Sequence, residues 1–426
     1  MPRGRGAVSP QFLYGGGMQG VDMTKPAELE GVVDPTSVAY WQDIHGTLAP
    51  LREQWPVVRS TAGVVEILRY EDGEPLLRDP RMRQALQGML TNQGITSGPL
   101  YEWWQLIMNN HDVPSHTRLR SLVGRAFTPK QVERVRPRVQ AIAHELVDEM
   151  LDRERADVQA TFCHRLPLVV LCEMLGLPPE DHEIVERWTT TVALAFSAVI
   201  PPRTVHDIER AVVDFNSYTE GLIERRRAAP GDDLLSALVL AEESGDRLTH
   251  DELRALIINL LFAGHDTTKS LLSIAIWLLM THPDQLAVLQ DDPSLIVGAV
   301  EEISRYETPI SGIPRVPSED IVVADVSIPA GSYITVSVPS ANRDPRRFAA
   351  PDRFDVRRTD NRHLTFGFGI HHCVGAAVAR AEVQEALRVL VSRAQLEPLV
   401  DEPTWVPFAA ARRFESLPVI ARARNA

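Results

Sequence analysis

The sequence predicts a mostly α-helical protein, a single large helical domain with small β-sheets. Three observations carry this reading. The run from His250 to Thr281 contains no proline and is apolar on most sides. Val139, Ile142, Ala143, Leu146, Val147 and Met150 recur at helical spacing. β-like texture is confined to short stretches around 57–65 and beyond Pro309. No internal repeat and no Gly- or Ser-rich linker divides the chain, so residues 31–426 read as one domain behind a flexible N-terminal leader, residues 1–30.

Taken in order, Pro56-Val57-Val58 and Gly63-Val64-Val65 form a short β segment. Thr128-Pro129-Lys130-Gln131 combines a capping hydroxyl, proline at the first helical position and glutamine three residues after the cap, so a helix starts there. Arg136-Pro137 starts a second helix. Thr249-His250-Asp251-Glu252 is another capping box. Residues 250–281 as one helix would span roughly 48 Å at about 1.5 Å per residue and must cross the centre of the domain. Asp292-Pro293 opens the next helix, and pre-proline Thr308 ends it, because the residue before proline avoids helical backbone. Residues 321–323 and 333–338, with Pro329-Ala330-Gly331 between, read as short strands joined by turns. Residues 342–372 lack a period, and such a run inside a compact domain is usually functional. A last helix covers 374–390.

Composition excludes several classes. The chain has 44 Lys+Arg against 57 Asp+Glu, a formal charge of −13, which argues against binding nucleic acid. Cys163, Cys172 and Cys373 are too few and too scattered for a disulfide framework, which fits a reducing compartment. No apolar stretch of signal-peptide length follows the first residues. The stretch 253–280 is apolar enough to suggest a membrane span, but it holds Asn259, His265, Asp266 and Lys269, which are costly in lipid. The expectation is a cytoplasmic protein with no membrane span.

Four motifs carry chemistry. In Phe366-Gly367-Phe368-Gly369-Ile370-His371-His372-Cys373-Val374-Gly375, glycines turn the backbone tightly before a cysteine that sits where a helix begins. Helix-terminal N–H groups there favour thiolate, and Gly375 leaves room for something large and flat. A loop thiolate of this kind suits a metal ligand better than a core residue. Zinc held by His363, His371, His372 and Cys373 is the alternative metal reading, but adjacent ligands are not the spacing of tetrahedral sites. A cysteine nucleophile is a further alternative, with no signal for a base opposite the sulfur. In Ala263-Gly264-His265-Asp266-Thr267-Thr268, an acid beside an alcohol in an apolar helix is expensive unless both are used or satisfied. Thr267 bonding back to a carbonyl would open a notch, with the acid either working there or paired to a distant arginine. Glu302 and Arg305 are spaced i, i+3, and His116 and Arg120 i, i+4, each pair on one helix face.

Together and in this order, these motifs resemble the cytochrome P-450 family, haem-thiolate monooxygenases, in its soluble bacterial type. The resemblance runs from about residue 110 to the C-terminus and rests on Phe366, Gly369, Cys373 and Gly375, on 263–268, and on Glu302 and Arg305. It implies the cytochrome P-450 fold with haem b as cofactor and Cys373 as the axial iron ligand. It implies that His116, Arg120, Arg315 and His371 hold the haem propionates. Glu302 and Arg305 would form a buried structural pair with the irregular stretch near Arg353. Asp266 and Thr267 would relay protons in the activation of O2.

Electrons would come from a ferredoxin and its reductase, since no Gly-x-Gly-x-x-Gly follows a predicted strand. Arg380, Arg118 and Arg125 are candidates for docking that acidic partner on the cysteine side. The Met- and aromatic-rich segment 82–110 corresponds by order to the loop that roofs the pocket. Leu90, Trp103, Trp104, Ala263, Ile310, Ile313 and Phe408 are the expected wall residues. The implied reaction is hydroxylation of a bulky hydrophobic compound, a terpenoid, steroid or polyketide-like natural product, by a monomeric enzyme. The competing function is a haem protein that binds or senses a ligand without turnover, which would not require Asp266 and Thr267.

Overall fold

The structure, a computed structural model, describes residues 29–424 except 125–126, 198–199 and 244–247. Nearly all of the expected leader, and Arg125, lie outside the described residues. The helices that position the site are α1 (Pro99–Leu106), α2 (Ser115–Gly124), α3 (Pro129–Arg153), α4 (Arg165–Met174), α5 (His182–Ala193), α6 (Pro202–Ala228), α7 (His250–Thr281), α8 (Ile296–Tyr306) and α9 (Ala376–Arg393).

Helix α7 is the uninterrupted run the sequence predicts. Its capping box is complete: Thr249 Oγ1 accepts from Glu252 N at 3.2 Å, and Glu252 Oε2 accepts from Thr249 N at 2.9 Å. Two otherwise orphaned groups at the helix start are thereby satisfied. The helix packs against α4, α5, α6 and α9, which bury it on nearly every side. Midway along, Ala263, Gly264 and Thr267 are only partly buried among buried neighbours. Their i, i+1, i+4 spacing puts them on one face, where the helix wall opens.

Two expectations are corrected here. Pro137 does not start a helix; it lies inside α3, which begins at Pro129 with Thr128 Oγ1 accepting from Gln131 N. The missing N–H of an interior proline costs about 3 kcal/mol. Val139, Ile142, Leu146, Val147 and Met150 are all buried on that helix. At about 1.5–3 kcal/mol per buried side chain, their packing outweighs the proline. After a short turn over Pro293–Leu295, α8 ends at Tyr306, just ahead of Thr308, as the pre-proline position requires.

The strands are β1 (Val32–Val33), β2 (Val57–Ser60), β3 (Val65–Ile67), β4 (Met82–Gln84), β5 (Arg155–Asp157), β6 (Gly312–Pro317), β7 (Ile321–Val323), β8 (Val326–Ile328), β9 (Ile334–Ser337), β10 (Ala394–Pro398) and β11 (Pro418–Ala423). The largest sheet has the order β1-β2-β3-β9-β6-β4, a small one β10-β11-β5. Strand β9 pairs parallel with β3 and antiparallel with β6, where Arg315 lies opposite Ile334. The second correction concerns β7. It pairs with β8 rather than leading by a turn into β9, with Val323 opposite Val326. Ala324 and Asp325 both take positive φ, 46° and 67°, which makes the two-residue turn that matches strand twist. Between Arg343 and Phe368 there is neither helix nor strand, as the aperiodic sequence suggests. Among the described residues, no single helix is long and apolar enough to cross a membrane.

Candidate active site

The cysteine loop is closed by its own backbone, Cys373 N donating to Phe366 O at 2.8 Å. Gly369 takes a φ of +71°, and a Cβ there would collide with the Leu77 carbonyl oxygen. Only glycine meets both demands. A Cβ at Gly375 would meet nothing within 4 Å, so that side of the loop is open. Helix α9 begins at Ala376. Cys373 is solvent-accessible while Cys163 and Cys172 are buried. Protein packed around the Cys373 thiol pushes its pKa up. The backbone N–H groups of Gly375 and Ala376 and the charges of Arg120 and Arg380 pull it back down. Those are the helix-terminal donors expected from the sequence.

Beside this loop lies a group of basic side chains, two histidines and two arginines, with unmet bonding capacity. The rings of His116 and His371 are 4.0 Å apart, centroid to centroid. His116 Nδ1 and His371 Nε2 are buried without a hydrogen-bond partner. The side chain of Arg315, also buried, donates among the described residues only to the Pro314 carbonyl, at 2.8 Å. Desolvation pushes Arg315 down to about 10 and His116 down to about 4, the latter helped by His371 and Arg120. Arg120 feels Cys373 electrostatically and forms no ion pair among the described residues. An acid that the sequence reading missed, Asp112, lies 3.8 Å from His371. Each buried unmet donor costs about 1–3 kcal/mol, so the cluster calls for acceptors from outside the chain. Two carboxylates on a flat group lying over Gly375 would supply them, and the residues present fit haem b.

On α7, Thr267 Oγ1 donates to Ala263 O at 2.9 Å, the back-bond foreseen for the notch. Gly264 is explained by packing, since a Cβ there would lie 2.9 Å from Leu171 Cδ1 of α4. The acid does not pair with a distant arginine. Asp266 Oδ1 lies 2.6 Å from Nζ of Lys269, three residues along the same helix, and the two side chains are only 7% and 1% exposed. Burial pushes the Asp266 carboxyl up, but the charges of Lys269 and Arg413 prevail and hold it below its ordinary value.

Glu302 and Arg305 are wholly buried and joined twice, Nε–Oε2 at 2.7 Å and Nη2–Oε1 at 2.9 Å. Arg305 Nη1 also donates to the carbonyls of Asn342 and Pro351, at 3.0 and 2.9 Å. The third member is not Arg353, whose side chain is 71% exposed and 3.7 Å from Asp355. It is Arg358, with Nε 3.0 Å from Glu302 Oε2. Arg353 points outward because Glu302 already accepts from the backbone N–H of Asp355 at 3.0 Å, which turns the chain so that Arg358 faces inward.

Of the arginines expected at a docking face, the two described ones are already paired. Arg380 grips Glu301 at 2.7 and 2.8 Å and lies 4.2 Å over the Phe366 ring. Arg118 holds Glu252 at the start of α7, with one contact at 2.9 Å. The expected wall residues divide among separate packing groups. Leu90, Trp103 and Trp104 are buried in the cluster on which Ala263 and Val374 also rest. Ile310 and Ile313 rest on the sheet cluster, and Ile313 Cδ1 lies 3.7 Å from the position of a Cβ on Gly367. Phe408 packs edge-on against Trp41, centroids 5.8 Å apart, in a third cluster. A cavity of about 590 Å³ between α1, α6 and the start of α7 takes in Trp103 but none of Cys373, Asp266 and Thr267.

A thiol turned out by glycines, basic side chains with unmet bonding capacity around it, and an alcohol at a helix notch next to a buried acid define the class of haem-thiolate oxygenases. The wider comparisons agree with the class, and the chain belongs to the cytochrome P450 family. The family model described as Cytochrome P450 matches residues 181–410. The chain is 40% identical over 366 residues to the mycinamicin IV hydroxylase/epoxidase of Micromonospora griseorubida, covering 83% of this chain and 90% of that protein. It is 37% identical over 402 residues to the 6-deoxyerythronolide B hydroxylase of Saccharopolyspora erythraea, covering 91% and 98%. Among solved structures it matches the Bacillus subtilis bacillaene polyketide synthase cytochrome P450 PksS with a TM-score of 0.82 and 33% identity, covering 91% and 99%. The protein is therefore a mostly helical P450 monooxygenase that uses haem b, O2 and a redox partner.

Proposed function

We propose that this monooxygenase hydroxylates a bulky hydrophobic natural product of the polyketide type. The proposed electron donors are a ferredoxin and its reductase, and the proposed setting is the cytoplasm, with residues 31–426 acting as one domain. The substrate class is supported by the relatives, named for acting on mycinamicin IV and on 6-deoxyerythronolide B, and by the apolar expected walls. Cys373 would hold the haem iron, and His116, Arg120, Arg315 and His371 its propionates. When bound, the haem supplies activation of O2 for insertion of one oxygen atom into a C–H bond.

The single observation that carries the catalytic reading is the partly open face of α7, where Thr267 stands beside Asp266 in an otherwise buried helix. A dry pocket supplies no protons of its own, so Thr267 Oγ1 hands protons inward and Asp266 replenishes it. Thr267→Ala is expected to retain haem and substrate binding, because the lost back-bond contributes only about 0.5–1.5 kcal/mol. Product formed per electron is expected to fall about tenfold or more, with the electrons recovered as hydrogen peroxide. Coupling at the wild-type level in that variant means Thr267 is no relay.

A further inference from the structure

An asparagine inside an apolar helix is costly unless its carboxamide is used. Asn259 of α7 is 2% exposed, and its chain neighbours Ile257, Ile258, Leu260 and Leu261 are all buried. Its Nδ2 reaches Asn109 Oδ1 only at 3.4 Å, beyond the ordinary range of such bonds. Its Oδ1 is buried with no partner among the described residues. The turn that carries Asn109, Met108–Asn110, is held in place by bonds of its own. Gln87 Nε2 donates to Asn110 O at 2.9 Å, Asn110 N donates to Ile107 O at 3.0 Å, and Asn110 Nδ2 donates to Trp104 O near the end of α1. Asn110 Oδ1 is also buried and unmet. Two carboxamide oxygens, one on α7 and one on the turn facing it, thus lack a donor.

Position indicates where that donor comes from. Asn259 lies one turn before Ala263 and two turns before Thr267, so the three share the side of α7 that is partly open. The step from Asn259 to Thr267 covers about 12 Å along the axis. Between them the wall is aromatic, Phe262 meeting Trp103 with centroids 6.0 Å apart. We infer that Asn259 determines which end of the substrate reacts: its carboxamide binds a substrate hydroxyl group about 12 Å along α7 from Thr267, which seats the opposite end at the notch. A hydroxyl group fits because it both donates and accepts, whichever way the carboxamide is turned, whereas an ether or ketone brings no donor to Oδ1. The substrate class narrows to long or macrocyclic apolar molecules with a hydroxyl group remote from the reacting carbon. A compact hydrocarbon spans too little of α7 to touch both places. This inference rests on the reading of the open face of α7 as the place where the substrate reacts.

The test uses the haem-loaded holoenzyme and two series of N-alkylimidazoles, whose ring ligates haem iron and shifts the Soret band on binding. The tails, with extended lengths that bracket about 12 Å, end in a hydroxyl group in one series and in a methyl group in the other. The readout is the ratio of the two dissociation constants at each tail length. In the wild type the ratio is expected to peak in favour of the hydroxyl group at one length, by about tenfold or more over Asn259→Leu. In Asn259→Leu the peak is expected to vanish while the methyl tails bind at least as tightly as in the wild type. A flat ratio in the wild type, a peak that survives Asn259→Leu, or an equal weakening of both series overturns the inference. The last of these would show that Asn259 only braces the turn. Should Asn259→Leu fail to fold, Asn259→Ala carries the same ratio. Ala263→Phe, which fills the notch, is measured alongside and is expected to block both series. If it blocks them but the ratio is flat in the wild type, only the role of Asn259 falls. If both series still bind to Ala263→Phe, or neither shifts the Soret band of the wild type, the reading of the open face falls, and the role of Asn259 with it.

Discussion

Glu302→Ala is expected to give a protein that binds little haem and melts at a markedly lower temperature. The carboxylate is fully buried and accepts from Arg305 twice, from Arg358 and from the backbone of Asp355. Removing it leaves the wholly buried Arg305 guanidinium without its counter-charge and takes the carboxylate from the partly buried Arg358, and breaking a buried pair in this way costs about 3–5 kcal/mol. A domain's whole stability is about 5–15 kcal/mol, so the loss is a large share of it. The damage falls on the irregular stretch that leads into the cysteine loop, because Arg305 also clasps the carbonyls of Asn342 and Pro351. Haem content per chain and the melting temperature measure both effects. Arg358→Ala is expected to follow Glu302→Ala in direction, whereas Arg353→Ala, at an exposed position, is expected to stay within about 0.5 kcal/mol of the wild type. Full haem content and unchanged melting in Glu302→Ala would refute the anchoring role.

Cys373→Ala is expected to abolish the strongly red-shifted Soret band that carbon monoxide produces in the dithionite-reduced haem-loaded protein. That band is the signature of thiolate ligation, and no other described cysteine can replace this one. Cys163 and Cys172 are buried, with their thiols pushed up by desolvation, Cys172 to about 12. Burial pushes the Cys373 thiol up as well, but there the Gly375 and Ala376 N–H groups and the charges of Arg120 and Arg380 pull against it, donors that neither of the other two thiols has. A red-shifted band that survives Cys373→Ala places the ligand elsewhere. Haem without a red-shifted band in the wild type would mean that the sulfur is protonated or displaced, and the electron-rich thiolate required for oxygenation would be missing.

What the sequence made legible was local. The capping box at Thr249 and the back-bond from Thr267 each involve residues within four of one another. The turns at Gly367 and Gly369 are fixed by backbone sterics alone. Contacts made across the aperiodic stretch were not legible. Arg353 and Arg358 stand five residues apart with no period to tell which faces Glu302, and only the backbone bond at Asp355 decides. Asp112 escaped notice because its meaning depends on His371, which chain order places far away. Lys269 was visible and read only as a charge that lipid would reject; its spacing of three from Asp266 was the available signal. At Pro137 a local rule was overridden by the buried face of α3.

The division of the expected walls among separately packed clusters shapes how substrate preference can change. Trp103 touches Phe262, Phe262 stacks on Phe196, and Phe196 meets Trp104, so an alteration at one of these rings is transmitted to the others. Ile313 belongs to a different cluster and abuts the cysteine loop through Gly367. Free energies of distant changes that share no partners add, whereas those of touching residues couple. Selection can therefore recut the sheet-side wall in small independent steps, while the aromatic wall has to change as a unit.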